Sequence, residues 1–121
     1  PRPRVGSTEH DHPTGIVTGA QGGPPIISTT FAIRSEIVDS DMGIGAAVSA
    51  PRKHHQHLPD TLYYERGGIL DSTLAALHAM GYATSAVGIH GDLGFAASIL
   101  RHGGIVQGMS DPRVHGLAAG Y

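Results

Sequence analysis

Residues 15–31, GIVTGAQGGPPIISTTF, place a short strand, a glycine turn and the start of a helix in direct succession. The β-branched run at 16–18 is typical of a buried strand, and the glycine-rich segment 19–24 predicts the turn that ends it. Pro25 suits the first turn of a helix because its missing N–H would be unpaired there in any case. Apolar residues then follow at helical spacing, which predicts that the helix runs to about Asp39.

Two further helices and a strand are predicted downstream. The small residues at 44–50 favour a short second helix, and the run TLYYE at 61–65 has the composition of a strand. Asp71 or Ser72 can cap a third helix, which has an apolar face at helical spacing. Gly81 follows this helix directly and is placed to end it in the left-handed conformation.

The C-terminal part of the chain has the pattern of short strands. Three apolar segments, 82–89, 95–100 and 105–109, are separated by glycine-containing turns, and we expect them to form an antiparallel meander. Helices early in the chain and hairpin-linked strands later predict an α+β fold, with helices on one face of an antiparallel sheet. Residues 1–14 have no periodicity and are predicted to be a loose N-terminal arm, so residues 15–121 are the expected folded unit.

Composition limits the functions that this chain can have. With 121 residues, 18 of them glycine, it is expected to form one modest domain with many turns. Eight basic and ten acidic side chains give a formal charge of −2, which favours neither nucleic acid nor an anionic membrane surface as a partner. The absence of cysteine excludes disulfides, zinc–thiolate sites and thiol catalysis within the chain. We expect no cofactor.

The ends of the chain carry a separate expectation. No apolar run approaches the roughly 20 residues that span a bilayer, so no membrane segment is predicted. The chain begins with Pro1 rather than methionine. We therefore expect either a processed product or a piece of a longer reading frame.

The turn between the first strand and the first helix is a candidate for chemistry. The backbone N–H groups of Gly22 and Gly23 would face an open space at a helix N-terminus, where the helix dipole favours negative charge. Such a turn can hold an oxyanion. The alternative is structural, because glycine pairs at such turns also serve backbone conformations with positive φ.

Three histidines, His54, His55 and His57, are candidates for a metal site because neutral imidazole binds zinc, copper and nickel. Their spacing is unfavourable, since adjacent side chains diverge in both strands and helices. Asp60 is the one carboxylate close to them in sequence. A structural or surface role is favoured, and no metal site is assigned.

Two other groups of polar residues are interpreted as structural. Ser28, Thr29 and Thr30 lie inside the first predicted helix with no base at a spacing that would activate a hydroxyl, which favours helix packing. Asp111 and Arg113 can form either a buried ion pair or part of a tight turn, and the turn is the favoured interpretation.

The order of several motifs is more informative than any one of them. VTGAQGG at 17–23 is similar to the VTGSPGG of gamma-glutamyltranspeptidases (glutathione hydrolases), and KHHQHLPD at 53–60 is similar to their HHQWLPD. The further matches are DMGIGAAVSAPR (41–52), LDSTLAAL (70–77), GY (81–82), SDPR (110–113) and AGY (119–121). The chain therefore resembles the C-terminal part of the small subunit of this family over residues 15–121.

The resemblance implies a fold and a reaction. The fold is the αββα sandwich of N-terminal nucleophile hydrolases, in which a precursor cleaves itself and frees a threonine. That threonine attacks a gamma-glutamyl amide such as glutathione, with its own α-amine as base, and the acyl group passes to water or to an acceptor. Gly22 and Gly23 match the glycines that form the oxyanion hole, and Gly23 is also assigned to substrate binding.

The resemblance also implies partners and a compartment. The partners are the remainder of the small subunit, the large subunit and the gamma-glutamyl substrate, and the compartment is periplasmic or extracellular. The HHQ stretch is not a metal site in this family, which weakens the metal interpretation of the histidines. Asp111 and Arg113 match a turn that the family shares.

Departures from the family pattern leave alternatives open. The liberated threonine lies upstream of residue 1 in the family, and the paired serines expected near residues 1–7 do not match. Gln21, Pro24, Pro25 and His57 replace residues usual in the family, and Pro24 removes a backbone donor beside the glycine pair. One alternative is a stand-alone, inactive paralogue that acts as a binding or assembly module, and another is a histidine-rich metal-binding protein.

Overall fold

The computed structural model describes residues 15–88 and 92–120, so the predicted arm at 1–14 lies outside the described residues. The elements within them are β1 (Gly15–Gln21), α1 (Pro25–Val38), α2 (Ile44–Ser49), β2 (Lys53–His54), β3 (Leu62–Glu65), α3 (Asp71–Ala79), β4 (Thr84–Val87), β5 (Phe95–His102) and β6 (Ile105–Ser110). No helix in the described ranges is long and apolar enough to cross a membrane.

The larger sheet has the strand order β1-β5-β6 and is antiparallel throughout. β1 pairs with β5 along its whole length, from Gly15 opposite Arg101 to Gln21 opposite Phe95. The strand therefore continues two residues past Gly19, where the sequence pattern predicted its end. Pairing with β5 explains the difference, because it holds Ala20 and Gln21 in the strand although their sequence is typical of a turn.

Helices α1 and α2 cover one face of this sheet and form the core with it. Thr29, Ile33 and Ile37 recur every four residues on α1 and are all buried, as expected for one helix face. The core cluster comprises Ile33, Ile37, Ile44, Ala47, Val48 and Ala96. The predicted α+β arrangement, with helices on one face of an antiparallel sheet, is confirmed.

A second sheet has the order β2-β3-β4 and includes one parallel pair. β3 and β4 run parallel, and α3 makes the crossover between them, as parallel strands require. The prediction that the segment 82–89 opens an antiparallel meander is therefore wrong for β4, although β5 and β6 do form the expected hairpin. Ile89, at the end of that segment, lies outside the described residues.

The end of α3 agrees with the sequence pattern, and its start does not. Gly81 has φ +91°, and its N–H donates to the carbonyl of His78 while the N–H of Tyr82 donates to that of Leu77. This is the paired hydrogen bonding by which glycine commonly ends a helix. At the other end the capping position is Leu70, which has no capping side chain, so the predicted cap by Asp71 or Ser72 is wrong.

Candidate functional site

The glycine turn predicted from the sequence joins β1 to the N-terminus of α1. Gly22 and Gly23 have φ of +133° and +68°, and both are exposed. The carbonyl of Gly23 accepts from Ile26 N–H at 3.0 Å, which makes the first turn of the helix. Within the described chain neither glycine N–H donates a backbone hydrogen bond. Both amides lie near the N-terminus of α1, the positive end of the helix dipole.

Gly22 lies directly against the backbone of Gly94. A Cβ atom on Gly22 would lie 2.8 Å from Gly94 Cα, and a Cβ on Gly94 would lie 2.6 Å from the carbonyl oxygen of Gln21. Neither approach is possible for a residue with a side chain. The glycines therefore serve close packing as well as positive φ, and Gly23, with nothing within 4 Å of its Cβ position, is the more open of the pair.

The segment that carries Gly94 is held by two buried side chains. Thr29 Oγ1 donates to the carbonyl of Leu93 at 2.8 Å, and Arg52 Nη1 donates to the carbonyl of Gly94 at 2.6 Å. The sequence pattern correctly placed Thr29 inside a helix with a packing role. It did not reveal the hydrogen bond, because Thr29 and Leu93 are 64 residues apart.

Four buried charges lie behind this segment. Asp111 pairs with Arg52 at 2.6 Å and with Arg113 at 3.0 Å, and Arg113 pairs with Glu65 at 2.5 Å. The group contains two positive and two negative side chains, so its formal net charge is zero. Buried charges in proteins are usually paired in this way. The favoured turn interpretation of Asp111 and Arg113 was incomplete, since the turn is present, with Val114 N–H donating to Asp111 O, and the ion pair is present too.

The pKa values of this group follow from its contacts. Burial alone would raise the pKa of Asp111, but hydrogen bonds from the Arg113 and Ala96 amides and from the Arg52 and Arg113 side chains hold it below its usual value. Burial would lower the pKa of Arg113, and hydrogen bonds to Glu65 and Asp111 raise it instead. Both groups remain charged at neutral pH.

A second polar arrangement links α1 to β2. Ser28 Oγ lies 2.7 Å from His54 Nδ1, and His54 Nε2 lies 2.9 Å from Gln56 Oε1. Gln56 Nε2 donates to the carbonyl of Leu58, which turns Gln56 Oε1 toward the imidazole as an acceptor. The network therefore assigns the proton of neutral His54 to Nε2 and makes Ser28 the donor to Nδ1.

This contact corrects one expectation. The sequence suggested no base near Ser28, yet the fold brings His54 to it from 26 residues away. In hydrolases, a hydroxyl that donates to an imidazole can be activated as a nucleophile when a third group orients the imidazole. Ser28 lies within α1 beside an open cavity of about 330 Å³ that Glu36 and Lys53 also line. We interpret the contact as a tie between helix and strand.

The other two histidines have separate surroundings. His55 Nε2 donates to Asp60 at 2.9 Å, and His55 Nδ1 accepts from the backbone N–H of His57. His54 contacts Ser28 instead, so the imidazoles of His54 and His55 do not share a ligand position. Within the described ranges, no group of three or more histidine or acidic side chains could hold a metal ion.

Comparison with known proteins identifies the family. The model of the gamma-glutamyltranspeptidase family matches residues 7–121. The glutathione hydrolase proenzyme of Escherichia coli K12 is 40% identical over 113 residues, which cover 92% of this chain and 19% of that protein. The glutathione hydrolase proenzyme of Pseudomonas aeruginosa is 35% identical, over 88% of this chain and 19% of that protein. The chain thus spans about a fifth of the length of these relatives.

A solved structure agrees with this result. The gamma-glutamyltranspeptidase from Pseudomonas nitroreducens, complexed with L-DON, superposes with a TM-score of 0.80 at 30% identity, covering 98% of this chain and 61% of that one. This likeness supports the expected fold class, part of the αββα sandwich of N-terminal nucleophile hydrolases. By sequence and by structure, this chain belongs to the gamma-glutamyltranspeptidase family.

Proposed function

We propose that this chain contributes to the transfer or hydrolysis of gamma-glutamyl groups, from glutathione and related amides, as the C-terminal portion of the small subunit of a gamma-glutamyltranspeptidase. The observation that carries the proposal is the pair of exposed glycines Gly22 and Gly23, next to the N-terminus of α1, whose amides have no backbone acceptor among the described residues.

The chemistry requires such donors. Attack on a gamma-glutamyl amide places negative charge on the former carbonyl oxygen, and N–H groups already in position stabilise that charge in the transition state. The nucleophilic threonine would come from the upstream part of the enzyme. Pro24 has no N–H, so the two glycine amides and the α1 dipole are the groups that this turn offers to the oxyanion.

The uncovered face of the larger sheet supports assembly with further layers. Val17 and Ile99 lie opposite each other on the face away from the helices and are 68% and 48% exposed. Val106 on β6 is 65% exposed on the same face, where it lies opposite Arg101. An exposed apolar patch on a sheet usually marks an interface. We infer that it packs against the second sheet of the sandwich, built from the rest of the small subunit.

The test compares two glycine-to-alanine variants of the full-length protein, meaning the enzyme of which this chain is proposed to be the C-terminal portion. Gly23→Ala and Gly81→Ala both add a Cβ at a positive φ, +68° and +91°, and neither Cβ meets an atom within 4 Å. The φ at Gly81 is the less favourable of the two for alanine, so this control carries at least as much backbone strain, and Gly23 alone belongs to the proposed oxyanion hole. Alanine at position 23 keeps the backbone N–H, so its effect is that of a Cβ placed beside the proposed oxyanion position and of any displacement of the amide. We expect Gly23→Ala to lower kcat for a gamma-glutamyl anilide by roughly 10-fold or more with a small change in KM, and Gly81→Ala to leave kcat within about twofold.

Equal kcat values in the two variants, with similar losses of thermal stability, would reject the oxyanion role. The rival function, an inactive assembly module, predicts no turnover in the parent full-length protein either. Pro24 beside the glycine pair is the feature that favours this rival. Measured turnover by the parent protein excludes it.

A further inference from the structure

We propose that Thr29 and Gly94 are positioning residues for the glycine turn, acting as a clasp that sets where the Gly22 and Gly23 amides lie. The inference rests on the proposed oxyanion role of that turn. Neither residue is expected to touch the substrate. Their effect would be transmitted to the turn through direct backbone contacts.

The first part of the clasp is a contact between backbones. Gly94 has φ +88° and is buried, and a Cβ at this position would meet Gln21 O at 2.6 Å and Thr29 Oγ1 at 3.3 Å. From the other side, a Cβ on Gly22 would meet Gly94 Cα at 2.8 Å. The backbone at 21–22 therefore rests directly on Gly94, so a displacement of Gly94 passes to the turn with no flexible side chain between them.

The second part is the hydrogen bond that holds Gly94 in place. Thr29 Oγ1 donates to the carbonyl of Leu93 at 2.8 Å, and Thr29 and Leu93 are only 2% and 4% exposed. Water therefore has little access to replace this bond. Thr29 lies about one helical turn after Pro25, the first residue of α1. Its hydroxyl therefore links the start of α1 to the segment 93–94, on which the glycine turn rests.

The consequence concerns the chemical step more than substrate binding. Oxyanion donors act through their position, and displacements approaching 1 Å at a catalytic group can cost on the order of 100-fold in rate. A smaller shift of the 22–23 backbone should therefore lower kcat while KM changes little. Arg52 also holds the Gly94 carbonyl, but it belongs to the buried ion group and its loss would disturb much more of the fold.

The experiment uses the full-length protein and the matched variants Thr29→Ser and Thr29→Ala. Both remove the γ-methyl group, and they differ by the hydroxyl alone. We expect kcat for a gamma-glutamyl anilide to be about 10-fold lower in Thr29→Ala than in Thr29→Ser, with KM within about twofold. A tetrahedral boronate analogue of the gamma-glutamyl group should bind more weakly to Thr29→Ala by a similar factor, while glutamate binds both variants alike.

Thr29→Val, which has nearly the shape of threonine, supplies a second variant without a donor if Thr29→Ala does not fold. Equal kcat and equal boronate affinity in Thr29→Ala and Thr29→Ser, or in Thr29→Val and the parent protein, would overturn the clasp and leave Thr29 a purely structural residue. A change confined to KM would overturn it as well. Gly23→Ala separates the two proposals: if it lowers kcat while the Thr29 pair does not differ, the oxyanion role stands and the clasp alone fails.

Discussion

In the buried charge group behind the glycine turn, one isosteric substitution, Asp111→Asn, is expected to lower the free energy of unfolding strongly. Asp111 accepts four hydrogen bonds, two at each carboxylate oxygen: Oδ1 accepts from the amide and the guanidinium of Arg113, and Oδ2 accepts from Arg52 and from the amide of Ala96. Asp111→Asn leaves the Arg52 guanidinium without a carboxylate partner and Arg113 with Glu65 alone, so two buried positive charges face one negative charge. It also places an NH₂ group where two donors already point.

The magnitude follows from burial. Asp111 is 1% exposed, so solvent cannot compensate for the lost charge. Breaking a buried ion pair by removal of one partner costs ~3–5 kcal/mol, and the donor conflict at one carboxamide position favours the upper part of that range. Asp60→Asn is the matched control, because the Asp60 side chain is 81% exposed and pairs with His55. Exposed pairs contribute at most about 1 kcal/mol.

Urea denaturation of the full-length protein, followed by circular dichroism, measures both variants under the same conditions. We expect Asp111→Asn to shift the transition that includes this segment several-fold more than Asp60→Asn does. Equal shifts would refute the reasoning, because they would mean that the buried group contributes no more than a surface pair.

The same group predicts a pH dependence of stability. The pKa of Asp111 in the folded state lies below its usual value, so the unfolded chain binds the proton more readily. Its contribution is fully present above the ordinary pKa of about 4 and is lost as the pH falls through the folded value. The parent protein should therefore lose more stability than Asp111→Asn as the pH falls below about 4. Parallel curves for the two proteins would contradict this assignment.

Two further predictions concern the helical layer and the uncovered sheet face. Burial raises the pKa of Glu36 against the opposing effects of Lys53 and Arg52, so its ionised form costs stability at neutral pH. Glu36→Gln should therefore raise the melting temperature at pH 7 and give no gain near pH 4, where the carboxyl is largely protonated in both states; a loss at pH 7 would show that the attraction to Lys53 prevails. Val17→Lys, on the exposed sheet face, should reduce self-association of the 121-residue chain in light scattering and prevent assembly of the full-length protein. Val38→Lys on α1 should do neither, and identical behaviour of the two lysine variants would argue against an interface at Val17.

Local signals in the sequence predicted the helices well. Pro25 and the apolar spacing after it predicted α1 to within one residue of its end, and Gly81 predicted the end of α3. These features depend on backbone conformation and on neighbours within one or two helical turns, so a linear pattern contains them. The family could be identified for a related reason, because its motifs are short contiguous strings such as the one at 53–60.

Pairings between distant segments were predicted poorly. The segment of β4 looks the same whether it pairs in a hairpin or in parallel, and its partner β3 is selected by the crossover through α3. The contact between Ser28 and His54 and the bond from Thr29 to Leu93 likewise join residues 26 and 64 positions apart. No local pattern marks a hydroxyl for one distant acceptor over another.

The sequence by itself determined the helical segments, the glycine turn and the family, since each is written in neighbouring residues whose conformational preferences or order can be read directly. Tertiary structure alone decided that Gly22 rests on Gly94, that Thr29 and Arg52 hold that segment from behind, and that Asp111 and Arg113 are buried with Arg52 and Glu65. These contacts form only when packing brings distant backbone to within van der Waals distance and excludes water. Burial of that kind is a property of the folded chain as a whole.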